Sequence, residues 1–363
     1  MIQIPVILLG VGGVGRALLR QIVNGRNQLA KRVSSRFDVV AVVDSTGWRY
    51  EEQGFADEQL VAIVESKAKG QPLSQPRPTY PELLEQVSSG SGYKLLVDVT
   101  AADDVNPLIR QALKRHYGVV LANKKPLTGP WSETNQLYNE PGLRFEATVA
   151  GGQPVLAALR YLIDAGDRIS SIEGQLSGTL GHICRRLDEG VSFSEALKEV
   201  HENGVTEPDP REDLSGQDVM RKLMILGRLA GWPTEETDIN VESIVPPALT
   251  RISTERFLES SGEMDASFQR WIDAIKKNGN VLRYIARIDN SGGFVGLKAV
   301  SKDSTMAKIK HLAIYTDRFS EQPLIIGSDH SGVETTAAGV LGDMVALIRE
   351  NKSTKVSGRS LAN

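Results

Sequence analysis

Apolar residues follow two alternating rhythms along the first part of the chain. Short unbroken runs at 4–9, 37–44 (FDVVAVVD), 94–100 (KLLVDVT) and 118–122 read as strands of a parallel sheet buried on both faces. Between them, apolar positions recur at helical spacing over 16–24 and 104–116. Strand alternating with helix predicts an α/β fold, a Rossmann-type doubly wound parallel sheet. Residues 25–36 read as an insertion before the second strand. Residues 47–92, with clusters of Gly, Ser and Pro, read as an elaboration between strands.

From about residue 148 the rhythm changes. Gly151, Gly152 and Pro154 precede a helix reaching Ala165. A strand at 169–175 follows, then helices near 179–189, 194–203 and 216–231. Runs at 280–289 and 293–300 read as antiparallel strands. This pattern predicts a second, α+β domain for substrate binding and dimerisation. The expected division is a dinucleotide-binding domain at 1–147 and a substrate and dimerisation domain at 148–320. A segment at 321–350 would carry a helix back to the first domain, and 351–363 would be a flexible polar tail.

Composition narrows the class. The 363 residues suffice for two packed domains, and a net charge of −3 with mixed signs leaves no nucleic-acid footprint. No apolar stretch is long enough to span a bilayer, so no membrane partner is expected. The N-terminus runs straight into a strand pattern without the layout of a signal peptide. The single Cys184 allows no internal disulfide and favours a reducing compartment, so the cytoplasm is the expected location.

Two motifs carry the candidate chemistry. Gly10-Val11-Gly12-Gly13-Val14-Gly15 sits between a strand and a helix, where glycines allow a tight turn and a close backbone approach to a pyrophosphate. Asp44 ends the second strand, where an acid can bind ribose hydroxyls and favour NAD; the competing reading is an Asx turn. Arg49 stands near enough in sequence to meet a 2′-phosphate, which keeps NADP open. The second motif is GVTEPDPREDLSGQDVMRKLMIL at 204–226. Two prolines stiffen an acidic loop that feeds a helix. Ser215 would cap that helix with Asp218 at its third position, close to a capping box. Asp218 and Lys222 are four apart and share a face with Ile225 and Leu229, so the lysine should emerge from packed surface into a pocket. The plainer alternative is a surface ion pair of little energetic worth.

The ordered motifs GVGGVG at 10–15, ANKKPL at 122–127, EATVAGGQPV at 146–155, SGTL at 177–180, TEPDPREDLSGQDVMRKL at 206–223 and QPLIIG…TTAAGVLGD at 322–343 resemble homoserine dehydrogenase over nearly the whole chain. The resemblance implies NAD(P)-dependent interconversion of L-homoserine and L-aspartate 4-semialdehyde, a step of aspartate-family biosynthesis leading to threonine, methionine and isoleucine. It implies Lys222 as proton donor and acceptor, and Lys124 assisting by its charge. Glu207 and Asp218 would hold the substrate ammonium, with Gly178 and Thr179 near the substrate. The cofactor, NAD or NADP, would lie along Gly10, Gly12, Gly13, Val14, Gly15, Asp44, Thr100 and Ala101, with Gly332 at the start of the closing helix. Glu146 with the Val149, Gly151 and Gln153 carbonyls would match the family's site for a monovalent cation, Na+ or K+; the plainer reading is a glycine-rich connection between domains. A homodimer is implied as well. The chain shows no appended kinase or regulatory domain, so the monofunctional type is the expectation.

Three departures from the family pattern stand out. Val205 replaces a tyrosine before the acidic loop, Gly181 and His182 follow SGTL where Asn or Ser and then Tyr are usual, and residues 327–332 alter the glycine-rich approach to the last helix. Two further readings therefore stay open. One is a related dehydrogenase acting on another small hydroxy acid or aldehyde. The other is a nucleotide-binding homologue with impaired catalysis.

Overall fold

In the computed structural model, residues 1–87, 92–204, 206, 209–328 and 332–360 are described, with 353–360 by backbone alone. The chain divides into two compact units, Met1–Pro154 with His330–Asn363, and Val155–Asp329.

The first unit is built on a six-stranded sheet in the order β3-β2-β1-β4-β5-β6. Its strands are β1 (Ile2–Leu9), β2 (Ser35–Asp44), β3 (Gly47–Tyr50), β4 (Leu95–Asp98), β5 (Gly118–Leu121) and β6 (Leu143–Arg144). All neighbours are parallel except β2 and β3, which pair antiparallel. The buried runs expected from the sequence supply the core: Val6, Ile7 and Leu8 of β1, Val39 to Val43 of β2 and Leu95 to Val97 of β4. Burying each such side chain contributes about 1.5–3 kcal/mol. Strand order reverses on either side of β1, so a crevice opens at the carboxyl ends of β1 and β4, where Leu9 pairs with Asp98.

The first helix differs from its expected extent. It runs Gly13–Val33 without a break, so residues 25–33 prolong a helix rather than form an inserted loop. Leu29 packs against the core and Val33 is buried, which continues the apolar stripe of Leu18, Leu19 and Ile22. Ser34, in the left-handed region at φ 48°, ends it. The elaboration at 47–92 contains β3 and the helices Asp57–Ala68 and Tyr80–Val87.

The last helix, Val333–Ser360, packs within this unit along the first helix. Ala337, Val340, Met344 and Leu347 enter the common core, and Gln21 donates to the Glu334 carbonyl at 2.9 Å. The helix continues past residue 350, where the tail was expected to begin. No proline interrupts it, and Lys352 donates to the Val33 carbonyl at the end of the first helix.

The second unit has its own six-stranded sheet, ordered β12-β11-β7-β9-β10-β8. Its strands are β7 (Ile169–Gly174), β8 (Ile239–Val241), β9 (Asn280–Asp289), β10 (Gly292–Ser301), β11 (His311–Thr316) and β12 (Leu324–Gly327). Pairing is antiparallel except for β8 against β10. Helices Gly178–Asp188, Gln217–Leu229 and Asp265–Lys276 pack on β9. The sequence pattern does not reveal β8, β11 and β12. Two are very short, and β11 is an almost wholly buried run with no period to read. Among the described residues no helix is long and apolar enough to cross a membrane.

Gly152 sets how closely the last helix can approach the 3-10 turns at Glu146–Thr148 and Ala150–Gly152. A Cβ there would stand 2.0 Å from the Thr335 carbonyl oxygen, and one on Gly339 would stand 2.7 Å from Gly152 Cα. Its φ of +85° adds a second penalty for any L side chain. Gly152→Ala should destabilise the first unit by about 2–4 kcal/mol, combining overpacking and backbone strain. The measurement is the guanidinium unfolding midpoint; an unshifted midpoint would contradict this packing.

Candidate active site

The end of β1 is pinned on both sides. Gly10 N donates to the Val43 carbonyl of β2 at 2.7 Å, and Val99 N donates to the Leu9 carbonyl at 2.9 Å. Gly10 takes φ 97°, and the chain then doubles back so tightly that a Cβ on Gly15 would lie 2.1 Å from the Gly10 oxygen. Gly12 is exposed; among the described residues nothing lies within 4 Å of the position a Cβ would take, and no side chain caps the helix it begins. The helix start therefore presents backbone N–H groups to an open crevice, an arrangement suited to phosphate.

That crevice is a cleft of about 570 Å³ lined by Gly10, Gly12, Asp44, Thr100 and Ala101 among the expected cofactor residues. Gly13, Val14 and Gly15 lie in the helix start behind it. Gly332 lies at the start of the last helix, where its N donates to Thr335 Oγ1 at 2.9 Å; the following Val333 reaches to 3.3 Å from the Cβ position of Gly13.

Asp44 is engaged in a different way from the ribose contact expected of it. Its Oδ1 accepts from Thr46 N at 2.8 Å and Thr46 Oγ1 at 2.6 Å, and its Oδ2 lies 2.7 Å from Lys67 Nζ. This is the Asx-turn reading with an ion pair added. Burial pushes its pKa up, but the bonds from Lys67 and Thr46 outweigh burial and hold the carboxyl below its ordinary value. Arg49 does not line the cleft; its guanidinium lies 5.7 Å from the ring centre of Phe55. Lys67, Arg77, Arg16 and Tyr80 line it instead. Arg16 comes from the start of the first helix, Lys67 from the last turn of Asp57–Ala68, Tyr80 from the start of Tyr80–Val87 and Arg77 from the loop before it, a convergence the sequence pattern could not show.

Below the cleft, Asp98 is fully buried at the end of β4. It accepts from Thr100 N at 2.9 Å, Thr100 Oγ1 at 2.6 Å and Asn123 Nδ2 at 3.0 Å. Burial raises its pKa against these bonds. Asn123 Oδ1 accepts from Lys125 N at 3.1 Å, so one network shapes both the Thr100–Ala101 loop and the turn that carries Lys124.

In the second unit the acidic segment is anchored by Asp209 and Arg211. Arg211 binds both Asp209 oxygens and also donates to the Ile252 carbonyl at 2.6 Å. This bonding holds the Asp209 carboxyl below its ordinary value, against the opposing effect of burial. Pro210 opens a short helix, Pro210–Leu214. The next helix, Gln217–Leu229, has Gly216 at its N-cap, not Ser215, so the expected capping box is not formed. The reason is steric: the chain turns through φ 77° at Gly216 against Tyr284, whose hydroxyl lies 2.3 Å from where a Cβ would stand.

Lys222 emerges from this helix above buried Ile225, with its side chain 17% exposed. Its Nζ lies 2.6 Å from Asp218 Oδ2 and donates to the Leu176 carbonyl at 2.9 Å. Leu176 directly precedes Ser177, whose side chain caps the helix Gly178–Asp188 by accepting from Leu180 N at 3.1 Å. Lys222, Asp218 and the Gly178–Thr179 turn thus converge. Thr179 Oγ1 donates to Asp213 at 3.0 Å. Glu207, like Val205 and His330, lies outside the described residues.

A family model described as homoserine dehydrogenase matches residues 154–345, and the model of that family's NAD-binding domain matches residues 10–142. The chain belongs to the homoserine dehydrogenase family. The bifunctional aspartokinase/homoserine dehydrogenase of Haemophilus influenzae is 33% identical over 95% of this chain, which spans 43% of that protein's length. The homoserine dehydrogenase of Schizosaccharomyces pombe is 30% identical, with 97% of each chain covered. A Candida auris protein of unknown function has the same fold, with a TM-score of 0.83 at 28% identity over 96% of this chain and 98% of its own.

Two of the departures from the family pattern can be placed in this chain. Among the described residues only Gln175 Oε1, at 3.9 Å, comes near the Cβ position of Gly181. His182 is turned to Glu199, its Nε2 lying 3.3 Å from Oε1. Cys184 is buried and its thiol is pushed up to about 12 by burial, which leaves it inert. At the candidate cation site, Glu146 is buried and its N–H bonds Asp343 at 2.7 Å. One carboxylate plus carbonyl oxygens is a donor set that suits a hard monovalent ion.

The Asp44–Lys67 pair gives a signed expectation. A carboxyl whose folded pKa is depressed contributes stability that is present above its unfolded value, about 3.9, and is lost as pH falls through the folded value. Asp44→Asn should therefore flatten the acid limb of the stability profile below about pH 4 while leaving the limb above pH 5 parallel to wild type. Urea titrations at stepped pH measure this, and an unchanged acid limb would refute the pairing.

Proposed function

We propose that the protein oxidises L-homoserine to L-aspartate 4-semialdehyde, and runs the reverse reduction, with NADP as the preferred hydride carrier. The reading rests chiefly on the half-buried Lys222, held by Asp218 and the Leu176 carbonyl beside the Gly178–Thr179 turn. Asp218, with Glu207, takes the substrate ammonium, because a primary ammonium favours charge-assisted bonds to carboxylates. Lys222 accepts the proton of the alcohol during oxidation and returns one to the carbonyl oxygen during reduction. Lys124 contributes positive charge where an alkoxide develops. The bound nicotinamide supplies one thing, a hydride acceptor or donor.

Preference for NADP follows from the charges around Asp44. A free acid at the end of β2 would repel a 2′-phosphate, but this one is already neutralised by Lys67. Lys67, Thr46 and Arg77 all line the cleft, and two cations with a hydroxyl suit a phosphate dianion. Arg77 also donates to Tyr80 Oη at 2.8 Å, which orients its fork. Burial and the hydrogen bond to Asp104 raise the Tyr80 phenol to about 12, so it stays a neutral hydrogen-bonding group at working pH.

The family resemblance carries with it a cytoplasmic homodimer, a place in aspartate-family biosynthesis, and a Na+ or K+ ion held by Glu146 with the Val149, Gly151 and Gln153 carbonyls. Ultracentrifugation and rates measured with each chloride salt test the dimer and the ion.

Initial rates with homoserine, offering NADP and NAD separately, test the main reading. Lys222→Ala should lower kcat by about 10²–10⁴-fold. Arg77→Ala should raise KM for NADP about tenfold, a loss of about 1.4 kcal/mol, and change that for NAD little. Turnover of another hydroxy acid with homoserine inert would replace this substrate. A wild-type preference for NAD would overturn the cofactor choice.

A further inference from the structure

Between β3 and β4 the stretch Gln75-Pro76-Arg77-Pro78-Thr79-Tyr80-Pro81-Glu82 carries three prolines in eight positions. Each proline fixes its own φ and restrains the residue before it, so Gln75, Arg77 and Tyr80 have little backbone freedom. Both ends of the stretch are pinned. Gln75 and Trp48 exchange backbone bonds at 3.0 and 3.3 Å. Thr79 and Glu82 form a capping box: Thr79 N donates to Glu82 Oε2 at 2.8 Å, and Glu82 N donates to Thr79 Oγ1 at 3.5 Å. A stiff segment thus carries Arg77 and Tyr80 to the nucleotide cleft, which both residues line.

The Tyr80 hydroxyl spends its one proton on Asp104, donating to Oδ1 at 2.9 Å, and accepts from Arg77 Nη2 at 2.8 Å. Arg77 Nη2 also lies 3.8 Å from Asp104 Oδ2, so the three side chains close one cluster. Asp104 belongs to the loop after β4, whose Ala101, Ala102 and Val105 are apolar linings of the same cleft. With its hydroxyl engaged in this way, Tyr80 offers the cleft an aromatic ring. Two bonds at one hydroxyl hold that ring in a single orientation, so a ligand does not have to order it on binding.

The adenosine end of a dinucleotide has one flat aromatic group, the base. Base and 2′-phosphate hang from neighbouring carbons of one ribose. A 2′-phosphate taken by Arg77 therefore brings the base within reach of the ring to which Arg77 is bonded. A base stacks on an aromatic side chain through its π face and needs no hydrogen bond from it.

We propose that Tyr80 is a specificity-determining residue of the cofactor site, its ring receiving the adenine base. This rests on the cofactor reading above and extends it from the phosphate to the base.

Equilibrium binding of NADPH and NADH, followed by nicotinamide fluorescence, tests the assignment without turnover. Both carry adenine and only one carries the 2′-phosphate. Tyr80→Leu should weaken both by the same factor, about tenfold, within the range of one stacked base. Tyr80→Phe, which keeps the ring and loses the hydroxyl bonds, should bind both within about threefold of wild type. Arg77→Ala should weaken NADPH alone. Far-ultraviolet circular dichroism should match wild type in all three variants and show that they are folded. A loss of NADPH binding alone in Tyr80→Leu would show that the residue acts only through Arg77, and would overturn the assignment. So would unchanged binding of both nucleotides in Tyr80→Leu, or a tenfold loss in Tyr80→Phe. A wild-type protein that binds neither nucleotide would instead overturn the cofactor reading, and this inference with it.

Discussion

The ammonium of Lys222 is fixed from two directions, 2.6 Å from the Asp218 carboxylate on its own helix and 2.9 Å from the Leu176 carbonyl at the end of β7. These bonds join the helix Gln217–Leu229 to the turn that starts the helix Gly178–Asp188. A lysine carries large rotamer entropy, and holding it still needs partners that also compensate its desolvation. Here one partner is a charge and the other is a backbone dipole belonging to another element. The position of the amine is therefore a property of the packed sheet and not of its helix alone.

In the nucleotide unit the corresponding constraint is steric. The Gly10 oxygen occupies the place where a side chain at position 15 would be, so the turn exists only because both positions are glycine. That turn leaves the first N–H groups of a helix without a side-chain cap at the mouth of the crevice. The electrostatics of the crevice then depend on one pairing. Lys67 meets Asp44 from a helix more than twenty residues further on and converts an acidic position into one compatible with an added phosphate.

The residues that sequence reading placed well share a local physical cause. The glycine turn is dictated by backbone geometry within six positions, and the apolar strands by an uninterrupted need for burial. Lys222 and Asp218 are set by a four-residue helical step. Where the reading failed, the deciding partner lay far away. Ser215 was the natural cap by composition, but the cap is Gly216, in a left-handed turn where Tyr284 of β9 leaves no room for a side chain. Gly152 does stand just before the boundary between the units, as read, but its lack of a side chain is also required by the Thr335 carbonyl, some 180 positions later in the chain. Arg49 was close to Asp44 in number but its guanidinium lies by Phe55, while Lys67 and Arg77, further along the chain, line the cleft.

The amino-acid sequence by itself determined the alternation of strands and helices, the glycine turn, and the acidic helix start with its lysine. Each depends on steric rules and hydrophobic periods that act over a few residues. Tertiary structure alone decided which polar groups neighbour one another: Lys67 with Asp44, and the Leu176 carbonyl with Lys222. The physical reason is that charge and hydrogen-bond energies depend on distance in space and on burial. Neither quantity can be read from separation along a chain until the sheets have brought distant segments together.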